Sequence, residues 1–372
     1  MNVMQEKRYS AFLDLPHNSL KPFSLSLLLS TGLAVLPVVV AAQEHSSTGA
    51  GAHILIPPGS TESEINIVSG DGSVAVVHAF GGGSGYYIYR DGQYSLVTVL
   101  EGYDSAEVYD INKDGSAWIG AVNGIDSEGN FLDERYVLWN DNVATGLPEG
   151  LRPEAISDDG GIVAGIDNYD AGAGNFEGIL WSQSEGTIAK FTSPKNLFDV
   201  EDLSGNGKTV VGSHSTDGSN LKFSYEAYRW SEEGGFQSLG TSPGFEDSRA
   251  TAVNRDGRIV VGFEYDQDEP GQRTASRWNE SEGMISLGTL VEHLGSMATD
   301  VNADGSVIVG SSWNEEIGQG FRWTESTGMI SIDQWLSDAG VELLDESTYP
   351  TTMTQAYSVS DDGEVVAGYT IT

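Results

Sequence analysis

The sequence predicts an all-β protein, a β-propeller of seven blades closed by an N-terminal strand, with six blades as the alternative. Three observations predict it. A phrase reading apolar, Ser or Asn, any, Asp or Asn, Gly, any, then an apolar run recurs seven times. An aromatic phrase follows each of the first six copies. The turn glycines Gly72, Gly115, Gly160, Gly207, Gly257, Gly305 and Gly363 are 43, 45, 47, 50, 48 and 58 residues apart. That period, with four short strands per unit, is the period of propeller blades. Helical periodicity is nearly absent, which excludes a helical solenoid.

In chain order, residues Phe23 to Val40 form an apolar run preceded by Lys7, Arg8 and Lys21 and followed by Ala41 and Ala42. Basic start, apolar middle and small-residue exit describe a secretory signal over 1–42, with a mature start near Gln43. An uncleaved anchor is the alternative, since 18 apolar residues just span a bilayer. Residues 43–372 then make a single propeller domain, with no membrane insertion of the mature chain. Residues His53 to Pro57, HILIP, are an orphan apolar strand expected to complete the last blade, because the seventh repeat has only two strands of its own. Such closure removes an edge that would otherwise invite aggregation.

The first phrase appears as VSGDGSVAVV, INKDGSAWIG, ISDDGGIVAG, LSGNGKTVVG, VNRDGRIVVG, VNADGSVIVG and VSDDGEVVAG. Asp-Gly and Asn-Gly supply the positive backbone angles of tight hairpins. The preceding Ser or Asn bonds its own turn backbone. The closing Gly suits a close backbone approach. The second phrase carries aromatic anchors Tyr89, Trp139, Trp181, Trp230, Trp278 and Trp323. Ile332 to Leu344 interrupts the pattern; Asp333 is the expected cap of a short helix through Leu336 that stops at Gly340, packed on the rim between blades.

Taken together, V-N-x-D-G-x-V-V-V-G, then F-R-W-T or S-R-W-N, then G-M-I-S-L-G-T-L resembles the HAF-repeat family of bacterial extracellular proteins over roughly residues 65–370. The resemblance implies an exported protein of a Gram-negative bacterium, often a passenger ahead of an outer-membrane autotransporter barrel. Here the seventh repeat runs to Thr372 without a barrel-like strand series, so self-transport is not expected. The family brings no catalytic residues to transfer.

The chain has 18 basic and 55 acidic side chains and a net charge of −37. Phosphate binding needs clustered Lys and Arg, so nucleic acid and anionic lipid are not expected partners. Without cysteine there are no disulfides, thiolate metal sites or thiol nucleophiles. Asp110-Asn112-Asp114-Gly115 and Asp300-Asn302-Asp304-Gly305 open like a calcium loop. Position nine is Trp118 or Ile308 and position twelve is Ala121 or Ser311, so later ligands are missing. Asp202-Ser204-Asn206 matches in part. The expectation is a hydrogen-bonded hairpin turn without metal. The pairs Arg229-Trp230, Arg277-Trp278 and Arg322-Trp323 recur at one repeat position. They are expected to place Trp between blades and Arg away from them. Histidines are scattered, no G-x-S-x-G elbow occurs, and GGGSG from Gly81 precedes no helix. Acidic loops IDSEGNFLDE from Ile125, IDNYDAGAGNFE from Ile166 and FEYDQDEPGQ from Phe263 share one repeat position and so one face. The expectation is a secreted, periplasmic or cell-surface protein, monomeric and non-enzymatic, that binds an unknown protein or glycan ligand. No catalytic, cofactor or metal residue is assigned. The alternative is a secreted carbohydrate-active hydrolase using loop carboxylates.

Overall fold

The computed structural model describes residues 35–41, 51–167, 177–195, 197–216, 224–266, 272–290, 294–314, 318–340 and 355–371. The chain enters with β1 (Val35–Ala41) and β2 (Gly51–Ile54). Six antiparallel sheets of four consecutive strands follow. They are β3 (Glu62–Val68), β4 (Val74–Phe80), β5 (Gly85–Arg90) and β6 (Gln93–Leu96); β7 (Ser105–Ile111), β8 (Ala117–Asn123), β9 (Arg135–Asn140) and β10 (Val143–Gly146); and β11 (Arg152–Ile156), β12 (Val163–Asp167), β13 (Glu177–Ser182) and β14 (Gly186–Phe191). The next three are β15 (Asp202–Leu203), β16 (Thr209–Ser215), β17 (Tyr225–Ser231) and β18 (Gly235–Ser238); β19 (Asp247–Val253), β20 (Val260–Tyr265), β21 (Arg273–Asn279) and β22 (Gly283–Gly288); and β23 (Gly295–Val301), β24 (Ile308–Trp313), β25 (Gly318–Thr324) and β26 (Gly328–Ser331). Helix α1 (Ile332–Asp338) precedes β27 (Gln355–Val359) and β28 (Val365–Ile371).

The propeller class is thus realised, with six blades complete in contiguous chain. A further four-stranded sheet, in the order β2-β1-β28-β27, is assembled from both ends and lies between the sixth blade and the first. The closing strand differs from the expectation. Val35–Ala41, read from sequence as part of the leader, pairs residue for residue with Ile371–Val365. HILIP contributes only through β2, which pairs outside β1 and not with β28. Beyond it, Leu55 is buried with Ile65, Val68, Val77, Val365 and Ala367. An antiparallel partner was needed beside β28, and the direction of β2 is wrong for that place.

The inner hairpin turns also differ from expectation in one respect. Their glycines have φ between 65° and 79°, but the preceding Asp or Asn does not. Each is a four-residue turn with glycine alone in the left-handed region, and the glycine amide donates to the Ser or Asn carbonyl, as Gly72 N to Ser69 O at 2.8 Å. The Asp instead accepts from the amide two residues on, as Asp71 Oδ1 from Ser73 N at 2.9 Å. The Ser or Asn does serve its own turn: Ser69 Oγ accepts from Val74 N at 3.0 Å and Asn112 Oδ1 from Ala117 N at 2.8 Å. The doubly left-handed turn appears in the outer hairpins, at Asp141 and Asn142 and at Asp91 and Gly92.

The closing glycines are sterically required. A Cβ on Gly262 would sit 1.9 Å from the carbonyl oxygen of Arg249, and one on Gly120 2.0 Å from that of Glu107. Between blades, apolar side chains of one inner hairpin meet aromatics of the next. Trp118 and Trp139 are buried with Val74, Val76, Ile88 and Val108, and Trp230 with Phe191 and Phe198. The helix is capped by Ser331, not Asp333: its hydroxyl accepts from Gln334 N at 3.2 Å. Gly340 follows the helix in the left-handed region. Ile332, Trp335 and Leu336 share one helical face and are buried against Val307, Val309, Ala356 and Val366.

Candidate functional site

The inner strands converge on the ring's axis, and their irregularities decide what lines it. Six of the seven carry a bulge three residues before the turn phrase's Ser or Asn, as between Val108 and Asp110. A bulge disrupts the ladder and leaves backbone groups seeking partners. Three aspartates supply them. Asp110 accepts from its neighbour Ile111 N at 2.7 Å and, with its other oxygen, from Ile156 N of the next blade at 2.8 Å. Asp202 does the same for Leu203 and Val253, and Asp300 for Val301 and Val359. Ser358 Oγ takes the amide of Val68 at 3.3 Å.

These carboxyls lie in low-dielectric surroundings and near one another. Burial pushes Asp110 up to about 7 and Asp300 up to about 6, and Asp202 is also held well above the ordinary range by burial and by Asp110. This is where the two calcium-like sequences lead. The first Asp staples two blades, Asn112 and Asn302 hold their own turns, and Asp114 and Asp304 accept from the amides of Ser116 and Ser306. Among the described residues no group of three or more His, Asp or Glu side chains is arranged to hold a metal ion.

At the turn end of the axis a second ring forms. Asp71 N donates to Lys113 O, Lys113 N to Asp158 O, Asp158 N to Gly205 O, Asn206 N to Arg255 O, Ala303 N to Asp361 O and Asp361 N to Gly70 O. Asn254 Nδ2 spans the remaining step to Ala303 O at 3.1 Å. The side chains in this ring cross the axis. Arg255 Nε lies 2.8 Å from Asp158 and its Nη1 3.7 Å from Asp361, which also pairs with Lys113. Gly205 leaves room for this plug, since a Cβ there would meet the Asp158 carboxylate at 2.2 Å.

Toward the opposite face, inner strands β7, β11 and β19 and the residues leading into β15 bring together Tyr109, Arg152, Glu154, Asp199, Glu201 and Arg249. Arg152 Nε is 3.1 Å from Glu154, both nearly covered, and Arg249 Nη1 is 3.7 Å from Asp199. Asp199 also accepts from Ser213 N at 2.5 Å. Arg249 lies over the Tyr225 ring, its guanidinium carbon 4.2 Å from the centroid. Glu201 has no cation at ion-pair distance among the described residues. Burial, then Asp199 and Glu154, raise its carboxyl well above the ordinary range against the opposing pull of Arg249 and Arg152. Sequence reasoning did not single out these residues. The signal available was register: they sit two and four places before the apolar residue that opens each turn phrase.

The other candidates resolve differently. His214 Nε2 meets Ser238 Oγ at 2.6 Å and Glu226 at 3.7 Å, so Ser and Glu share one ring nitrogen, unlike a relay in which each takes its own. A cavity of about 440 Å³ beside Arg277, Arg322 and Trp323 lies among Ser306, Glu325, Asp362 and Glu364 at the turn end. The arginines of the R-W pairs also face the next blade, a correction to their expected orientation: Arg229 lies over Trp278 at 5.4 Å and Arg277 over Trp323 at 5.8 Å. Of the acidic loops, the one from Ile125 is fully described. Asp126 takes the amides of Glu128 and Asn130 at 2.8 and 2.9 Å, and Phe131 is exposed. Residues 168–176 and 267–271 of the other two lie outside the described residues. Since the inner turns are at one face, the loop from Ile125 belongs to the face opposite the plug.

The ring of antiparallel sheets about a polar axis defines the class: the chain is a β-propeller. No protein-family model matches it. No curated protein matches it either. Among solved structures, an oligogalacturonate lyase in complex with manganese is similar with a TM-score of 0.52 at 14% identity, covering 90% of this chain and 96% of that one. The oligogalacturonate lyase of Vibrio parahaemolyticus gives 0.51 at 13%, covering 91% and 97%. TolB from Acinetobacter baumannii gives 0.43 at 11%; the match covers 79% of this chain and spans 62% of that protein's length. At these identities the likeness is one of fold. No helix among the described residues is long and apolar enough to cross a membrane.

Proposed function

We propose that this is an exported, non-enzymatic propeller of the HAF-repeat kind that binds a basic segment of a protein partner at the face opposite the axial plug. The observation that carries this reading is Glu201. Its carboxyl is acted on by Asp199 and Glu154 and has no cation at ion-pair distance among the described residues, while the turn end of the axis is crossed by ion pairs. A lysine or arginine side chain entering there would supply the missing charge. The acidic loop from Ile125 on the same face, and a net charge of −37, would speed the encounter.

The test is titration of a fluorescent Lys-Gly repeat peptide against a Glu-Gly repeat at low and high salt. Selective, salt-sensitive binding of the Lys peptide, weakened about tenfold or more by Glu201→Gln, is expected. Equal binding of both peptides, or an unchanged affinity in the variant, overturns the reading.

The second reading is a carbohydrate-active enzyme. It is favoured by the pairing of Glu154 with Arg152 beside a Glu201 carboxyl biased toward its neutral form, the kind of split that separates a base from an acid. Both lyases named above share only the fold. A glycan panel that includes oligogalacturonate separates the readings: turnover abolished by Glu201→Gln would replace binding with catalysis.

A further inference from the structure

The apolar run Phe23 to Val40 is two segments of different character. Phe23–Ala34, FSLSLLLSTGLA, is leucine- and serine-rich, and its 12 residues match the apolar region and exit of a secretory leader. Val35–Ala41, VLPVVVA, contains four valines and reads as a strand. β1 begins at Val35, and all seven of its residues pair with β28, from Val35 opposite Ile371 to Ala41 opposite Val365. Pairing with β2 starts only at Val38 opposite Ile54, so Pro37 stands where the outer side of β1 has no neighbour, a place a proline tolerates.

We infer that signal peptidase cuts between Ala34 and Val35, so that β1 is the first element of the mature protein. The residues before this bond are Gly32-Leu33-Ala34, small at the first and third positions as the peptidase requires. The reaction is hydrolysis of one peptide bond, with water supplying the new carboxylate of Ala34 and the new amine of Val35. A cut after Ala42, the site first suggested by Val40 and Ala42, would remove β1. The Val365–Ile371 edge would then lie open beside the first blade. The chain's remaining N-terminal strand could not replace β1 in kind. β2 is antiparallel to β1, which is antiparallel to β28, so β2 runs parallel to the strand it would have to join. An unpaired seven-residue edge is an aggregation hazard.

This inference rests on the export part of the proposed function, and the test separates the two. The full chain is produced with its own leader in a Gram-negative host, and the exported fraction is read by N-terminal sequencing and intact mass. A first residue of Val35 is expected, with processing lost in Ala34→Gln and unchanged in Ala42→Gln. Folded protein beginning at Gln43 overturns the inference and leaves export standing. Uncut protein held in the cytoplasm overturns both. Behind a foreign leader, a chain starting at Val35 should be monomeric and melt several degrees above one starting at Gln43, or the latter should fail to fold. Two monomers with one melting temperature would overturn the role given to β1.

Discussion

The guanidinium carbon of Arg322 lies 5.0 Å from the centroid of the Trp335 ring. It continues a ladder in which Arg229 covers Trp278 and Arg277 covers Trp323, each pair joining one blade to the next. At the sixth blade the next sheet's third strand is β1, whose sequence has no tryptophan. Helix α1 supplies the indole instead, which gives the insertion at Ile332 a structural purpose.

Replacing Trp335 with alanine should therefore cost about 3–5 kcal/mol, the usual loss for a large buried aromatic. Trp335→Phe, which keeps a ring beneath Arg322, should cost less than half of that. Urea unfolding measures both. An alanine variant with the parent's midpoint would show that the helix is an ornament.

Stability should fall as pH rises from about 4 to 7. Asp110 and Asp300, raised to about 7 and about 6, bind protons in the folded state that the unfolded chain has already released. Their contribution is complete below the unfolded value near 4 and lost as pH passes their folded values. Asp110→Asn should flatten this dependence while lowering stability by about 1–3 kcal/mol, because an amide side chain has one acceptor oxygen for two backbone donors. Melting curves at half-unit steps of pH give the slope. Parallel slopes in parent and variant would refute the assignment.

Gly262→Ala should be among the most damaging substitutions in the chain, since the added carbon would meet a backbone carbonyl at 1.9 Å. Gly146→Ala is the control: its nearest neighbour is the end of Arg135, at 3.8 Å, and its backbone is not left-handed. Loss of soluble protein for the first and a melting temperature within a degree or two for the second is the expected contrast, read by expression and calorimetry.

Affinity for the Lys-Gly peptide should rise with pH through the titration of Glu201. A bound cation favours the ionised carboxylate, so a site that starts neutral releases a proton on binding and binds more tightly as that proton becomes easier to lose. Calorimetry in buffers of different ionisation enthalpy reads the proton directly. Binding without proton release would place the peptide elsewhere.

The repeats, the turn glycines and the aromatic anchors were legible because each recurs at a fixed place in the repeat, even where, as with Trp139, the contact is made with the neighbouring blade. The staples were not. Asp110 looks like a turn or metal residue beside Asn112 and Asp114, and its second partner, Ile156 N, is 46 residues away. Glu201 and Arg249 carry no local pattern, and only their shared register places them together. Trp335 reads as an ordinary buried helix residue until the arginine of β25 is seen above it. At the N-terminus, hydropathy alone put Val35–Ala41 into the expected leader, because a strand and a leader are both apolar; the pairing of these residues with β28 shows them as a strand of the ring.

The amides of the seven residues that open the turn phrases form a ring of odd order. Each aspartate has two arms and so serves them in couples, joining blade two to three, four to five and six to the end-assembled sheet. Couples cannot tile an odd circle. The amide left over, Val68 N, falls to the one-armed hydroxyl of Ser358, at 3.3 Å the longest of the seven contacts. That fault in parity lies between the first blade and the sheet where the two chain ends meet, so the seam in connectivity and the seam in hydrogen bonding coincide. Blades one and two, three and four, and five and six share no such contact, so, pulled apart or breathing in solution, the circle should part at one of these junctions and leave the coupled pairs intact.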